Sequence, residues 1–437
     1  MTEPITSAPA SPRPESVGRA EWTNFRYLLA GQTVSLIGRA ITVVALPIVA
    51  VLQLNASTFQ VGLITGAEYV AYSVFGLVAG VYVDRWRRRS VLLWSDAARM
   101  VVIGAVPVLW TFDLLRLWHI IAVALLTGLF TLFFDTAHQA YLPSLISRDK
   151  LVRGNAQLQT SASVAELAGP GLGGLVVQVV GAALTLVGNA VTYLVSFIAV
   201  LAIRADREDP AQLAAARRAA ADGGPARESV RGQIVEGLRY LMSDKILRSF
   251  LGTIGQFNFL NTAQQALLVV FLLRVVEVSP AVVGLLMASI GAGAVLGALI
   301  ARPMVERLGV GRTMVLAAAI GPAVGILIPF THADARLAFF VIGNAALGAT
   351  PTILKVVGVS YRQAIVPPHL LGRVVATNRA FTWGPLPLGG LLGGVLGEVF
   401  GVRTALLIIA LLFTTTFVWL LFTPAWHLRG FDDEVGT

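Results

Sequence analysis

The sequence predicts an all-α membrane protein whose twelve transmembrane helices form two pseudo-symmetric six-helix bundles. The first observation is composition, since 56% of the 437 residues are hydrophobic, only 13% are charged and the mean hydropathy is +0.76. The second is spacing, because most charges fall between apolar runs of about twenty residues, the length that a helix needs to cross a hydrocarbon core of about 30 Å. The third is symmetry, since six such runs precede a long polar insert and six follow it.

The apolar runs place each span along the chain. Spans 1 to 6 are predicted at residues 26–49, 58–82, 90–112, 118–141, 156–179 and 183–203, and spans 7 to 12 at 250–273, 281–302, 313–331, 336–358, 375–398 and 403–423. The N-terminal bundle is therefore predicted over residues 22–203 and the C-terminal bundle over residues 250–424. Many of these segments are apolar on nearly every face, unlike the amphipathic helices of a soluble domain.

Polar segments flank and separate the two bundles. Residues 1–21 are rich in Pro, Ser and Glu and lack an apolar stretch, which predicts a disordered cytoplasmic tail and no cleavable signal peptide. Residues 425–437 form a second cytoplasmic tail. Residues 204–249 form a linker in which apolar residues recur at helical spacing over 230–241. This pattern fits either a helix in the membrane interface or a solvated linker helix.

The basic residues are distributed asymmetrically. A net charge of +9 and a pI near 10.3 would suggest a nucleic-acid partner in a soluble protein. Of the 33 Lys and Arg residues, however, four fall in the predicted external segments and four within spans. If both termini lie in the cytoplasm, all the other Lys and Arg residues lie in cytoplasmic segments. This asymmetry obeys the positive-inside rule. We therefore expect a multi-pass protein of the cytoplasmic membrane that contacts lipid and no nucleic acid.

The residue inventory also limits the chemistry. The absence of cysteine excludes disulfides and thiolate metal sites. No metal-ligand cluster, nucleophile elbow or phosphate-binding glycine loop occurs in a suitable place. We expect no catalytic residue, no metal and no cofactor, and the chain is not expected to be an enzyme.

The two halves of the chain resemble each other. A shift of 222 positions superposes Val83-Asp84-Arg85 on Val305-Glu306-Arg307, at the end of an apolar span in both halves. A shift of 220 positions pairs Tyr141 with Tyr361. Such repeats predict two six-helix units related by an axis along the membrane normal.

The loop between spans 2 and 3 carries an unusual density of charge. Its residues of interest are Gly80, Asp84, Arg85, Arg88 and Arg89. A basic loop this short between two membrane-length segments is typical of the cytoplasmic side. The run is similar to the signature of the major facilitator superfamily, G-x-x-x-D-R/K-x-G-R-R/K, with Arg87 in place of the second glycine. The resemblance covers nearly all of residues 22–424 and implies that this loop takes part in a conformational switch.

Span 5 carries a second match. Gly169, Pro170, Gly173 and Gly174 resemble the superfamily's antiporter motif G-P-x-x-G-G, which is usually taken to separate exporters from importers. Together with residues 133–155, this motif is similar to the drug-efflux branch that includes macrolide and siderophore exporters. The resemblance implies a hinge in span 5. Drug exporters of the superfamily often carry an arginine in span 4, and residues 118–141 contain none.

Glycines concentrate in spans 2, 5, 8 and 11. Small residues let helix backbones approach closely and slide, and the resemblance places these helices at the seam between the halves. The seam is therefore predicted to rock, with static packing as the alternative, and Pro170 and Pro385 predict bends. The resemblance also places Asp84 at the N-terminus of span 11, where the helix dipole favours a carboxylate by about 0.3–1 kcal/mol. A solvated acid beside a basic loop is the alternative for Asp84.

Ionisable residues within the spans mark the candidate site, because a charge at bilayer depth costs about 2.5–3.5 kcal/mol and tends to face a cavity or a partner. The candidate proton-coupling acids are Asp135, Glu166 and Glu68. Helical rise puts Arg39 at the depth of either glutamate and makes Asp135 a poorer partner for it. The 220 shift superposes Asp135 on Lys355, so we hypothesise an ion pair between the halves. A snorkelling lysine beside a solvated acid is the alternative.

Polar stripes on spans 1, 4 and 7 are predicted to line the substrate path. The predicted cavity residues are Arg39, Gln32, Thr131, His138, Asn258, Asn261, Gln265 and Lys355. Since His138 lies about one turn from Asp135, the histidine is a candidate to share the proton of this acid near neutral pH. For each stripe alone, hydrogen bonding between helices is the alternative.

These features together predict a monomeric secondary transporter with alternating access. It is expected to export a small amphipathic compound, such as a drug, a macrolide, a siderophore or a secondary metabolite, in exchange for protons. An importer or symporter of an anionic metabolite is the alternative within transport, favoured by Arg39 and Lys355 and opposed by the span 5 motif. A non-transporting membrane scaffold or a membrane-embedded enzyme is the alternative from another class.

Overall fold

The computed structural model describes residues 14–76, 79–203 and 230–421, and these residues form helices and short connections without a strand. In the first half, span 1 is Pro14–Gln53, span 2 is Thr58–Phe75 followed by Ala79–Arg85, span 3 is Arg88–Thr111, span 4 is Leu117–Leu145, span 5 is Leu151–Val180 and span 6 is Ala182–Leu201. A short 3-10 turn, Arg148–Lys150, joins spans 4 and 5.

The second half follows the linker helix Val230–Ser243. Span 7 is Lys245–Val270 with a π-helical extension Phe271–Val275, span 8 is Pro280–Leu308, span 9 is Val310–Gly325 followed by a 3-10 turn Ile328–Phe330, span 10 is Leu337–Ile365, span 11 is Pro368–Trp383 followed by Leu386–Phe400, and span 12 is Val402–Phe413 followed by Val418–Leu421. Ten of the described helical stretches are long and apolar enough to cross a membrane unbroken. Spans 2 and 11 complete the predicted twelve.

The predicted polar segments are only partly described. Residues 1–13 and 422–437 and the first part of the linker, 204–229, lie outside the described residues. The tail predicted over residues 1–21 is helical from Pro14 onwards. Proline fits the first turn of a helix, because its missing N–H has no helical acceptor there.

Spans 2 and 11 face each other across the seam. Span 11 is divided at Gly384-Pro385, where Pro385 lacks a backbone N–H. Span 2 is described up to Gly76, which keeps helical φ and ψ of −56° and −36°, and again from Ala79 onwards. Pro170, for which a bend was also predicted, lies inside the uninterrupted helix of span 5.

Backbone conformation shows the internal repeat directly. Asn55 and Glu277 both adopt positive φ, 48° and 61°, in the turns before spans 2 and 8, and they lie 222 positions apart. Gly181 and Gly401 are single-residue links before spans 6 and 12 with φ of 88° and 79°, and they lie 220 positions apart. A positive φ is uncommon outside glycine. The same rare turns at the spacings read from the sequence indicate two copies of one six-helix unit.

Helix packing joins these units into one molecule. Within the first half, span 1 packs on spans 5 and 6, and span 4 packs on spans 2 and 3. Between the halves, span 5 packs on span 8 and span 2 packs on span 11. The odd-numbered spans all begin at the same end of the molecule. We call this end the basic end, because Arg85, Arg88 and Lys245 lie there. The other end is called the opposite end.

The linker helix belongs to the second half. Tyr240 donates its hydroxyl hydrogen bond to the carbonyl oxygen of Ile365 at 3.1 Å, and Arg373 forms an ion pair with Glu236. A Cβ at Gly237 would lie 2.8 Å from the Arg373 carbonyl oxygen, so the linker helix lies tightly on the start of span 11. Burial and the neighbouring Asp244 raise the pKa of Tyr240, which stays neutral. The sequence predicted either a helix in the membrane interface or a solvated linker helix here, and neither interpretation included packing on the bundle.

A buried ion pair stabilises the first half. Arg99 and Asp96 on span 3 are both almost completely buried, and Arg99 donates a hydrogen bond to Asp96 while Ser196 of span 6 donates another at 2.7 Å. The Arg99 guanidinium carbon lies 4.1 Å from the centre of the Phe134 ring and 4.5 Å from that of Tyr193. The cation is thus neutralised by a carboxylate and covered by two aromatic faces.

We expect Asp96→Asn to destabilise the protein strongly, by about 3–5 kcal/mol, because it leaves the buried Arg99 charge without a counter-ion. Thermal unfolding of the purified protein in detergent measures this as a large fall in Tm. The double variant Asp96→Asn with Arg99→Met should regain most of the loss. Asp113→Asn, which changes an exposed acid at the opposite end, is the control, and an equal Tm in both single variants would contradict the assignment.

Candidate functional site

A cavity of about 380 Å³ lies between the two halves. It is lined by spans 1 and 5 of the first half and by spans 7, 8 and 10 of the second. The polar lining residues are Arg39, Glu166, Asn261, Gln264, Gln265, Asn344 and Thr352, set among apolar residues such as Leu36 and Met287. A smaller pocket of about 50 Å³ adjoins it and shares Arg39 and Gln265. This lining offers amides and one cation to an otherwise apolar molecule.

One ion pair lies at the edge of this cavity. Nη1 of Arg39 on span 1 lies 3.7 Å from Oδ2 of Asp135 on span 4, and the hydroxyl of Tyr72 on span 2 donates a hydrogen bond of 3.2 Å to the same oxygen. The side chains of Arg39 and Asp135 are 35% and 23% exposed. Three helices of the first half therefore meet at one carboxylate oxygen that solvent can reach.

Arg39 forms its ion pair with Asp135, which depth along the helices made a poorer partner than either glutamate. Span 1 runs away from the basic end and span 4 runs towards it, and helical side chains slant towards the N-terminus of their own helix. Arg39 therefore leans towards the basic end while Asp135 leans away from it, so they meet although their Cα positions differ in depth. The prediction compared only the depths of the Cα atoms along the helix axes and did not include the slant of the side chains.

The two glutamates occupy different walls. Glu68 lines the small pocket beside Arg39, and Glu166 is exposed on the larger cavity opposite. Among the described side chains, neither forms an ion pair within 4 Å. The hypothesised pair of Asp135 with Lys355 is not formed in this structure, where Lys355 is exposed and Asp135 binds Arg39 and Tyr72.

The predicted cavity residues divide into two groups. Arg39, Thr131, Asn261 and Gln265 line one or both pockets. Gln32, His138, Asn258 and Lys355 line neither of them. Asn258 donates its amide to the Thr382 carbonyl oxygen at 3.2 Å, so it joins span 7 to span 11. His138 is buried, and its ring stacks on Phe134 at 5.9 Å.

Sequence reasoning missed the tyrosines of span 2. Tyr72 binds Asp135, and Tyr69 lines the small pocket with Glu68. The signal was present, because Glu68, Tyr69 and Tyr72 recur at helical spacing beside the predicted cavity. No group of three or more His, Asp or Glu residues that could hold a metal ion occurs in the described part of the chain.

The glycines of spans 2, 5, 8 and 11 bring the two halves into backbone contact. A Cβ at Gly174 would lie 2.5 Å from the Pro280 carbonyl oxygen and 2.6 Å from the Gly284 Cα. On the other side of the molecule, a Cβ at Gly62 would lie 2.7 Å from the Gly394 Cα. All these residues lie towards the opposite end, so that end is closed by glycine packing.

Gly169 and Gly173, which also belong to the predicted span 5 hinge, pack within the first half. A Cβ at Gly169 would lie 2.3 Å from the Ala40 Cβ, and one at Gly173 would lie 3.1 Å from the Ile41 Cα. Span 5 therefore uses one glycine face for span 1 and another for span 8. The hinge itself remains a prediction.

Towards the basic end the close glycine contacts between spans 2 and 11 cease. Ser73 of span 2 donates a hydrogen bond to the Gly384 carbonyl oxygen at 2.7 Å, near the middle of both spans. Beyond that contact, a Cβ at Gly80 would meet no atom within 4 Å. Gly80 therefore makes no close approach like that of Gly62 at the other end of the same span.

The loop between spans 2 and 3 is attached to span 6. Arg89 donates hydrogen bonds to the carbonyl oxygens of Val200 at 3.4 Å and Leu201 at 2.9 Å, the last residues of that span. Arg87 adopts φ −65°, so this turn does not require the glycine of the superfamily pattern. The matching position of the second half, Gly309, has φ 83°. The Asp84 side chain lies outside the description.

At the opposite end, polar contacts reinforce the closed seam. The Glu398 carboxylate of span 11 accepts a hydrogen bond of 3.1 Å from the backbone N–H of Phe59, in the first turn of span 2. Arg274 of span 7 donates to the Val51 carbonyl oxygen of span 1 at 3.3 Å. A carboxylate is favourable at a helix N-terminus, so Glu398 stabilises the closed opposite end.

We expect Glu398→Gln to shift the molecule towards opening at the opposite end by about two- to fivefold, since it removes a charge at a helix N-terminus. Because the chain has no cysteine, a single Thr58→Cys substitution reports seam opening through its labelling rate with an impermeant thiol reagent. Thr58 is buried in the closed seam. Glu306→Gln, an exposed acid at the basic end, is the control, and an unchanged labelling rate in Glu398→Gln would exclude this role.

Asp334 and Arg336 form an ion pair in the loop before span 10. Hydrogen bonds from Arg336 lower the pKa of Asp334 to about 2. Because the folded pKa is lowered, this pair stabilises the loop above the ordinary pKa of aspartate and is lost only as the pH falls towards the lowered value. The charges of this pair are therefore constant between about pH 5 and 8, and this pair is not a source of pH-dependent transport in that range.

Comparison with known proteins decides the family. Residues 20–433 match the family model described as transmembrane secretion effector. The chain belongs to this family of the major facilitator superfamily. It is 27% identical over 403 residues to the multidrug efflux pump Tap of Mycolicibacterium fortuitum, covering 90% of this chain and 94% of the relative. It is also 27% identical over 156 residues to macrolide efflux protein A of Streptococcus pyogenes, covering 36% of this chain and 38% of that protein.

Solved transporter structures share the fold. The nucleoside transporter NupG superposes with a TM-score of 0.71 at 10% identity, covering 92% of this chain and 99% of that one. A bacterial homologue of the iron transporter ferroportin in its inward-facing state gives 0.67 at 16% identity, covering 91% and 98%. At these identities the similarity shows the superfamily fold alone. The chain is a multi-pass transporter of this superfamily and not an enzyme.

Proposed function

We propose that this protein exports small amphipathic compounds from the cytoplasm in exchange for protons. The family match and the relatives named as multidrug and macrolide efflux proteins support the export of drug-like molecules. The cavity between the halves suits such molecules, because it presents amides and one arginine among apolar side chains.

The orientation follows from charge. The basic end is assigned to the cytoplasm, since short cytoplasmic loops carry the excess of Lys and Arg, and both termini then lie in the cytoplasm. We assign the structure to the cytoplasm-open state, in which an exporter takes up its substrate. The N-terminal bundle, the linker and the C-terminal bundle act as the units predicted above, in a monomer.

The ion pair of Arg39 and Asp135 is the observation that carries the proton-coupling proposal. In the proposed cycle the cytoplasm-open state holds Asp135 as a carboxylate, whose Oδ2 accepts the hydrogen bond of Tyr72 and lies beside the Arg39 cation. In the externally open state Asp135 takes up a proton at Oδ2, the pair separates and the substrate leaves. Return to the cytoplasm-open state releases that proton to the cytoplasm. Each cycle moves one proton inwards for each substrate molecule that moves outwards.

The other predicted acids have supporting roles in this scheme. Glu68 lies in the same pocket as Arg39, and Glu166 lies on the larger cavity, so either is placed to receive the proton after Asp135. Thr131, Asn261 and Gln265 offer hydrogen bonds to the substrate. The loop from Gly80 to Arg89 and the span 5 hinge act in the change between the two states.

The alternative of an importer of anionic metabolites depends on a free cation in the cavity. Arg39 is neutralised by Asp135, and Lys355 lines neither pocket. This arrangement favours export of a neutral or weakly charged amphipathic compound. A scaffold without transport would have no use for a polar cavity between two halves.

Uptake into inverted membrane vesicles tests the proposal. Vesicles with an acidic interior should accumulate erythromycin or ethidium, supplied outside, and should lose the accumulated probe when the gradient is dissipated. Vesicles without the protein give the background. Accumulation that ignores the pH gradient would contradict proton exchange, and no accumulation of either probe would contradict drug export.

A further inference from the structure

A second open pocket lies outside the transport cavity, on the surface of the first half near the basic end. It has a volume of about 590 Å³ and is lined by residues of the loop after span 2, the start of span 3 and the middle of span 4. Its lining residues are Trp86, Arg87, Ser90, Val91, Trp94, Ser95, Phe130 and Phe133. We call it the tryptophan groove.

The aromatic rings of the groove are exposed and ordered against each other. Trp94 is 76% exposed and Trp86 is 50% exposed. The Trp86 ring lies 6.4 Å from that of Phe133 and 6.0 Å from that of Tyr82. A soluble protein would bury such rings, but here spans 3 and 4 face the bilayer at this point. Tryptophan is favoured at the level of the lipid headgroups.

Arg87 gives the groove a positive charge. It is exposed, and no acidic residue is among the described residues that line the groove. Ser90 adds a hydroxyl group one turn along span 3, and Ser95 adds another further along it. Arg87 occupies the place where the superfamily pattern has a glycine, although its backbone conformation does not require one. The transport mechanism proposed above uses the loop from Gly80 to Arg89 but gives the Arg87 side chain itself no contact. A cation above an aromatic groove matches a molecule with an anionic head and an apolar tail.

We propose that the tryptophan groove binds an anionic phospholipid of the cytoplasmic leaflet. The phosphate and the anionic headgroup contact Arg87 and Ser90, and an acyl chain lies along Trp94, Phe130 and Phe133. Trp94 lies six residues beyond Arg88, about 9 Å along span 3, so the chain contact is deeper in the membrane than the charge contact. The lipid would thereby join the loop after span 2 to the outer surface of spans 3 and 4.

Native mass spectrometry of the purified, delipidated protein tests this assignment without any transport step. Phosphatidylglycerol and phosphatidylethanolamine with identical acyl chains are the two probes. The intact protein should bind one phosphatidylglycerol with a preference over phosphatidylethanolamine. Arg87→Gln should reduce that preference about fivefold, since one basic side chain near the surface contributes about 1 kcal/mol to anionic lipid binding. Trp94→Ala should weaken both lipids alike.

Matched variants separate the groove from general effects. Arg248→Gln changes an exposed arginine at the basic end of the second half, and Trp118→Ala changes an exposed tryptophan at the opposite end. Both should bind phosphatidylglycerol like the unmodified protein. Equal loss in Arg87→Gln and Arg248→Gln would overturn the proposal, as would displacement of the lipid by erythromycin or ethidium, which would make the groove a substrate entry site. Failure of drug export in vesicles would leave these lipid measurements unaffected.

Discussion

Asp135→Asn should abolish gradient-driven accumulation in inverted vesicles, with a fall of at least about tenfold, because asparagine cannot exchange a proton at the position that faces Arg39. Exchange of labelled for unlabelled erythromycin needs no net proton movement and should continue. The variant should fold, since the pair is partly exposed and its loss costs about 1–2 kcal/mol after discounting for solvent, against a total stability of about 5–15 kcal/mol.

Two variants make this expectation specific. Asp135→Glu keeps a titratable carboxylate and should retain part of the gradient-driven uptake, whereas Asp113→Asn removes an exposed acid at the opposite end and should have no effect. Arg39→Met should also impair coupling, because Asp135 then lacks the cation that neutralises it after proton release. If Asp135→Asn accumulates the probe as fast as the unmodified protein, another acid carries the proton, and Glu68 and Glu166 are the next to replace.

Gly174→Leu should prevent closure of the opposite end and stop transport. A Cβ at this position would lie 2.5 Å from the Pro280 carbonyl oxygen and 2.8 Å from the Gly284 backbone nitrogen. Both are backbone atoms of span 8, so no side-chain rotation relieves the clash. The halves must separate at this end, and we expect a reporter cysteine at Thr58 to react with impermeant thiol reagents at least about tenfold faster, since closed packing excludes the reagent.

The same helix provides the control. Gly171 lies on span 5, three residues before Gly174, and a Cβ there would lie 3.8 Å from the Ala288 Cβ, an ordinary contact. Gly171→Ala should therefore transport and label normally. Normal transport in Gly174→Leu would show that the seam does not need this close approach, and the interpretation of static packing would then be preferred.

The seam shows what sequence reasoning could reach. Glycines on spans 2, 5, 8 and 11 predicted close helix contacts, and Gly62 and Gly174 make them across the halves. The break of span 11 at Pro385 was also predictable, because proline removes a backbone donor.

The charges inside the membrane were harder to assign. Their number was evident from the sequence, but their partners depend on the direction in which each side chain leaves its helix. Arg39 and Asp135 meet because they lean towards each other, and the predicted pairing of Asp135 with Lys355 used position along the repeat alone. Glu398 accepts a hydrogen bond from the Phe59 N–H across the seam. That contact depends on three-dimensional packing that no local pattern predicts.

Paired spin labels at both ends test the central claim, alternating access of two rocking halves, most directly. One pair, at Val152 and Arg302, measures the distance between spans 5 and 8 near the basic end. A second pair, at Leu114 and Phe330, measures the distance between the halves at the opposite end. All four side chains are exposed. Distances are measured by electron paramagnetic resonance in lipid nanodiscs at several pH values, with and without erythromycin. We predict that the basic-end distance shortens under the same conditions in which the opposite-end distance lengthens. Two distances that stay constant, or that change in the same direction, would contradict this mechanism.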